Sequence, residues 1–263
     1  MAAASLTTSG AGVLLEGPDV RAPGFADSMR AVLAEHRFAV LRGSLPTLED
    51  AIAAMRRLGP LNEAQARREG ALIIEAGPHE DVFRSCGALP LHMDGLLTGF
   101  DVSIVGIYCV QFRDVVGGRT SVSDVQVAAR EVPAADLALL RERGLDGLAV
   151  DNTGHYRSEF ASAWHHFPAF RTRPGQAARL CLGMPHAPGE KESWRVRVAD
   201  VSPEESARVF ASLRRVFLDP RYHYVHDWRE GDLLLMDNDA VMHGREAFQA
   251  SSRRLANIQV LAG

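Results

Sequence analysis

The sequence predicts a mainly β fold, a jelly roll with helices packed outside it. Two observations carry that reading. Short apolar or alternating runs bounded by Gly, Pro, Asn and Asp recur along most of the chain. Only a few segments keep a helical spacing for several turns. The chain also shows no internal repeat and no low-complexity block, so a solenoid is not expected.

Residues 1–12 are small and polar and are expected to be frayed, leaving 13–263 as a single domain. Phe25, Met29, Val32 and Leu33 have helical spacing over 25–35, and Arg37 to Arg42 then reads as a strand stopped by Gly43. Thr47 is a helix N-cap with Asp50 three residues on, and Gly59-Pro60 ends that helix. Residues 62–88 are charged around one strand-like core, Ala71 to Ile74, and suit a loop over a site. Val102 to Val110 suits a strand buried on both faces, and Gly117-Gly118 marks a turn.

Ser123 or Asp124 caps a helix through Arg130, and Pro133 to Arg143 reads as another. Short strands follow at Leu148–Val150, Leu180–Leu182 and Trp194–Val198, punctuated by prolines. Ser202-Pro203-Glu204-Glu205 opens a helix to about Phe217: a cap, proline at the first position, acids in the first turn. Tyr222–Trp228, Leu233–Met236 and Arg254–Leu261 complete the strands, with Arg229–Asp232 as a turn.

Composition removes several classes of function. A net charge of −4 on 263 residues gives no electrostatic reason to expect nucleic acid or an anionic membrane. No apolar run approaches the roughly 20 residues of a membrane span. Met1 to Gly12 lacks the basic-then-apolar order of a signal peptide. Cys86, Cys109 and Cys181 show no paired spacing, so reduced thiols in a cytoplasmic protein are expected. Homo-oligomerisation is left open.

The chemistry centres on Leu91-His92-Met93-Asp94-Gly95. Residues two apart on extended backbone project to one side, so His92 and Asp94 present an imidazole and a carboxylate together. His243, after a strand and before Gly244, is the third ligand of a 2-His-1-carboxylate site, the arrangement that leaves iron(II) open positions. Arg254 comes eleven residues later (254 − 243) and offers a fork for a carboxylate, with the Thr120 hydroxyl as a second contact. Arg253 competes with Arg254. Strand alternation turns only one inward, and the small apolar set Ala256, Ile258 and Val260 accompanies Arg254, which favours Arg254. His165-His166 point apart and make no second metal site, while His223 and His226 read as strand surface or partner contacts. Arg245, in a turn, is expected to be solvated. Trp164, Trp194 and Trp228 read as packing.

This constellation resembles the taurine/2,4-dichlorophenoxyacetate dioxygenase family of iron(II)- and 2-oxoglutarate-dependent oxygenases, which have a double-stranded β-helix fold. The likeness extends to Phe25–Gly43, Phe167–Pro174, Trp228–Asp232 and Asp237-Asn238. It implies that His92, Asp94 and His243 hold iron and that Arg254, with Thr120, binds the distal carboxylate of 2-oxoglutarate. It further implies O2-dependent hydroxylation or desaturation of a small molecule, with release of succinate and CO2. Taurine-type members carry a second arginine four residues after the first for the substrate sulfonate; here that position is Ile258, which argues against a strongly anionic substrate. The local forms around His92 and His243 look more like members from natural-product pathways, including those that process amino-acid-derived isonitriles. Asp94 sets the chain apart from the related halogenases, in which a small residue replaces the carboxylate. Met93, Gly95, Leu96 and Ile258 are candidate substrate contacts. Two rival readings use the same residues: a zinc hydrolase, and a non-catalytic cupin-like binding module.

Overall fold

Two antiparallel-rich sheets face each other, and each is backed by helices. The computed structural model describes residues 5–64, 70–75, 85–150, 160–161, 163–173, 175 and 177–262. Strands β1 (Val13–Glu16), β2 (Phe38–Arg42), β3 (Leu72–Glu75), β5 (Val102–Gly117), β13 (Leu233–Asp237) and β15 (Phe248–Leu261) form a six-stranded sheet in the order β1-β2-β13-β5-β15-β3. Strands β4 (Leu89–His92), β6 (Thr120–Ser123), β12 (His223–His226) and β14 (Met242–Arg245) form the second, in the order β12-β6-β14-β4. A three-stranded sheet of β7 (Leu145–Ala149), β8 (His165–Phe167) and β11 (Trp194–Val198) flanks them, as does the small pair β9 (Phe170–Arg171) and β10 (Arg179–Leu180). The facing sheets with helices packed outside form the jelly roll that the strand pattern predicts.

The large sheet is buried on both faces because its strands alternate between two cores. Ala39, Leu41, Leu233 and Leu235 pack outward against helices α1 (Phe25–His36) and α2 (Leu48–Leu58), while Phe38, Val40, Leu234 and Met236 pack inward between the sheets. A third core joins the second sheet, through Leu91 and Met242, to α3 (Val125–Ala128), α4 (Ala134–Arg143) and α5 (Pro203–Phe217). The expected caps form: Thr47, Asp124 and Ser202 each accept a backbone N–H of the first turn, from Asp50, Val127 and Glu205.

Several boundaries differ from expectation. The strand read as 102–110 runs on to Gly117, and the last strand begins at Phe248 rather than Arg254, because the two pair with each other along most of their length. Residues 5–12 are tied down, not frayed. Leu6 N–H donates to Gly12 O (2.9 Å), Ser9 N–H to Arg221 O (3.0 Å) and Gly12 N–H to His36 O (2.8 Å), and Ala11 is in the inter-sheet core. Within the predicted loop, residues 65–69 and 76–84 lie outside the described residues, but Leu72–Glu75 adds to the sheet edge beside β15.

Candidate metal centre and its two cavities

The triad is assembled by register. His92 ends β4 and His243 lies on β14, and the two are direct partners across that antiparallel pair, with ring centroids 4.5 Å apart. Gly244 allows the close approach: a Cβ there would lie 2.8 Å from the Leu89 carbonyl oxygen. Asp94 follows β4 in a loop held by Asn238. Asp94 N–H donates to Asn238 Oδ1 (2.9 Å), and Asn238 Nδ2 donates to the carbonyls of Asp94 (3.0 Å) and Val102 (2.9 Å). Gly95 then turns the chain at φ +99°, where a Cβ would meet the Phe100 carbonyl oxygen at 2.4 Å.

The donor atoms converge without satisfying one another. Asp94 Oδ1 lies 3.5 Å from His92 Nε2 and 3.6 Å from His243 Nε2, too long for good hydrogen bonds. Ligand atoms about 2.0–2.2 Å from a shared ion stand roughly 3–3.5 Å apart, so the spacing fits a metal ion. His92 Nδ1 lies 2.9 Å from the Pro90 carbonyl; donating there leaves the Nε2 lone pair toward the centre. Burial, with His92 alongside, pushes His243 down to about 4 against the opposing pull of Asp94, so its imidazole is neutral near pH 7. Burial alone would raise Asp94, but the nearby imidazoles of His243 and His92, with a hydrogen bond from Asn257, hold it well below the usual carboxylate range. A neutral His243 imidazole and an ionised Asp94 carboxylate are the forms in which these groups bind a divalent cation. Among the described residues no other group of His, Cys, Asp or Glu brings three ligand atoms together.

Two cavities meet at this triad and share His92, Asp94 and Gln259. One, of about 570 Å³, holds Thr120, His243, Arg245, Arg253 and Asn257 among apolar walls that include Leu72 and Ile74. Thr120 Oγ1 accepts the Trp228 indole N–H at 3.2 Å, which leaves its own O–H to donate. Thus Trp228 also orients a site residue. The other cavity, of about 560 Å³, is lined mainly by Met93, Gly95, Leu96, Leu97, Phe167, Trp194 and Val196. Met93, Gly95 and Leu96 are the residues expected there; Trp194 is both packing and wall, with its ring 5.1 Å from His92. Thr98 Oγ1 is buried on this wall with no hydrogen-bond partner among the described residues.

The choice between the two arginines is reversed. Arg254 is about half exposed and sits 3.5 Å from Glu75 on the neighbouring strand. Arg253 is 3% exposed and lines the polar cavity. Its Nε donates to Gly118 O (3.0 Å), its guanidinium lies over Phe248, and Nη1 has no partner among the described residues. Among the described residues no carboxylate pairs with it, and burial, with Arg245 nearby, pushes it down to about 9. The side chains alternate along the strand as expected, but with the two faces exchanged. Ala256, Ile258 and Val260 pack against α1 and α2, while Arg253, Leu255, Asn257 and Gln259 face the triad. Ile258 is therefore not a substrate contact; it is buried in the helix-side core. The position four residues after the inward arginine is Asn257, which donates to Asp94 Oδ2 at 3.0 Å.

Arg245 is also buried, not solvated: Nε and Nη2 donate to Gly87 O at 3.0 and 2.6 Å. His226 is 1% exposed rather than on a strand surface, with Nε2 3.2 Å from Asp232 Oδ2. Asn257 and Gln259 are site residues that the sequence motifs do not single out. The available signal was polar side chains at every second position of an otherwise apolar strand.

Comparison with known proteins agrees with this geometry. The model of the family described as taurine catabolism dioxygenase TauD, TfdA matches residues 3–259. The tyrosine isonitrile desaturase of Pseudomonas aeruginosa is 27% identical over 247 residues, 90% of this chain and 81% of that protein. The 3-((Z)-2-isocyanoethenyl)-1H-indole synthase of Fischerella ambigua is 24% identical over 233 residues, 86% of this chain and 83% of that one. The crystal structure of PvcB from Pseudomonas aeruginosa aligns with a TM-score of 0.71 at 26% identity, covering 96% of this chain and 87% of its own. A second PvcB structure, with the same TM-score and coverage at 25% identity, is described as an Fe, alpha-ketoglutarate dependent oxygenase from an isonitrile synthetic pathway.

Proposed function

The chain belongs to the TauD/TfdA dioxygenase family, and from that premise we propose that it oxidises an isonitrile derived from an aromatic amino acid, by desaturation. Its class is that of an iron(II)- and 2-oxoglutarate-dependent oxygenase. The single observation that carries the reading is the pair of cavities meeting at one triad, one of them reaching a buried arginine that no carboxylate pairs among the described residues.

In this reading His92, Asp94 and His243 hold the iron. Bound iron(II), with O2, couples decarboxylation of 2-oxoglutarate to succinate and CO2 with removal of hydrogen from a substrate C–H bond. For desaturation the substrate loses two hydrogens, which leave with one oxygen atom as water while the other enters succinate. Arg253 takes the distal carboxylate of the cosubstrate through its unpartnered Nη1, and the Thr120 O–H donates to the same group. Leu96, Leu97, Phe167 and Trp194 hold an aromatic side chain beside the metal and exclude water. Thr98 offers a hydroxyl to a polar group of that substrate. A zinc hydrolase or a binding module would leave the buried Arg253 guanidinium unexplained.

No helix among the described residues is long and apolar enough to cross a membrane. We place the protein in the cytoplasm, acting on a small molecule, on the strength of its free cysteines and weak net charge. The test is anaerobic titration of the protein with iron(II) and 2-oxoglutarate. Wild type should develop the weak visible charge-transfer band and His92→Ala should not. Product analysis with tyrosine isonitrile under air should then show oxygen-dependent succinate and an α,β-unsaturated isonitrile two hydrogens lighter than the substrate. No band in wild type would refute the cofactor assignment. A band without turnover of aromatic isonitriles would refute the substrate alone.

A further inference from the structure

We propose that Asn62 is a positioning residue for the metal carboxylate, acting through Gln259 to make Asp94 a one-oxygen ligand. The inference rests on reading His92, Asp94 and His243 as the metal ligands. It comes from a directional chain of amides. Asn62 is 4% exposed, next to Leu61, which bridges to Val260 on β15. Its backbone N–H donates to the Gln259 carbonyl at 2.9 Å, and its Nδ2 donates to Gln259 Oε1 at 2.8 Å. A primary amide has one accepting end and one donating end. With Oε1 engaged by Asn62, Gln259 presents Nε2 to Asp94 and donates to Oδ2 at 2.7 Å. Reversing the chain would set Oε1 against an ionised oxygen at that distance, so the charge on Asp94 enforces the direction.

Asn257, two residues earlier on the same face of β15, donates to the same oxygen at 3.0 Å. Oδ2 therefore receives two N–H groups. Oδ1, which faces both histidine Nε2 atoms, receives neither. The two oxygens of one carboxylate are thus sorted: one is held by the protein and the other is left for the ion. If Oδ2 also turned to the ion, it would abandon both donors in a buried site. It would also occupy a coordination position that the 2-oxo acid or O2 needs. Gln259 is a wall of both cavities, so the device sits where cosubstrate and substrate meet. Asn62 itself donates to Gln259 and not to the triad, which makes it the informative residue to change.

The test uses manganese(II), a redox-stable stand-in for iron, titrated calorimetrically into the full-length protein. Asn62→Leu and Gln259→Met should each weaken manganese binding roughly 10-fold or more, the range for residues that orient a ligand. The double variant should be no worse than Gln259→Met alone, because the proposed route from Asn62 to Asp94 runs through Gln259. The anaerobic iron(II)–2-oxoglutarate band should shift in both single variants. Asn62→Ser, too short to reach Oε1, repeats the test should the leucine variant fail to fold. The proposal is overturned if the Asn62 variants lower Tm while keeping wild-type manganese affinity and an unshifted band, or if the two substitutions are additive. Wild type that binds no manganese, or His92→Ala that binds as well as wild type, overturns the metal-centre reading and this proposal with it.

Discussion

Arg253 and Arg254 are adjacent, chemically identical and predicted to behave oppositely. Arg253 is buried in the polar cavity with Nε on Gly118 and Nη1 unpartnered; Arg254 is half exposed beside Glu75. A hydrogen bond to a charged group is worth about 1.5–3 kcal/mol. Through Nη1, Arg253→Met should therefore cost about 1.5–3 kcal/mol of cosubstrate binding, roughly 10- to 150-fold in the Kd of 2-oxoglutarate. Arg253→Lys should fall between, since an ammonium on a flexible stem lacks the fork. Arg254→Met loses at most an exposed ion pair, worth about 0–1 kcal/mol of stability, and should leave the Kd within about twofold. Anaerobic titration of the iron-loaded protein with 2-oxoglutarate gives the affinities. Ligand-induced stabilisation in a thermal melt provides a second reading, large in wild type and Arg254→Met and small in Arg253→Met. If the Arg254 variant lost affinity while the Arg253 variant kept it, the assignment of the two faces of β15 would be wrong.

Two other outcomes follow from buried groups. Thr98→Val keeps the shape of the apolar cavity wall and removes its unpartnered hydroxyl. It should raise KM for a hydroxyl-bearing aromatic isonitrile several-fold and leave KM for the deoxy analogue unchanged; equal effects on both would refute a hydrogen-bonding role. The metal-free protein should lose stability on acidification from about pH 6.5 to about 4. Burial holds His243 and His186 down at about 4, so across that interval the unfolded chain binds more protons than the folded one and stability rises with pH. Melts of metal-free protein at stepped pH measure this, and a Tm flat over that interval would refute it.

Local chemistry alone determined much of this protein. The caps at Thr47, Asp124 and Ser202 were legible because a cap is a short-range bond between a side chain and its own first turn. His92 and Asp94 were legible from their two-residue spacing, although the strand ends at His92 and Asn238 holds Asp94 in the loop beyond it, and His243 because its neighbours mark a strand. Tertiary structure decided what depends on which face of a strand meets which layer. Alternation divides β15 into Arg253, Leu255, Asn257, Gln259 and Arg254, Ala256, Ile258, Val260. It does not say which set looks inward. In a sheet covered by helices on its outer side, the apolar set belongs to the helices and the polar set to the reaction chamber. The link from Asn62 to Gln259 spans 197 residues of sequence, and a pairing that distant is set by how the sheets close.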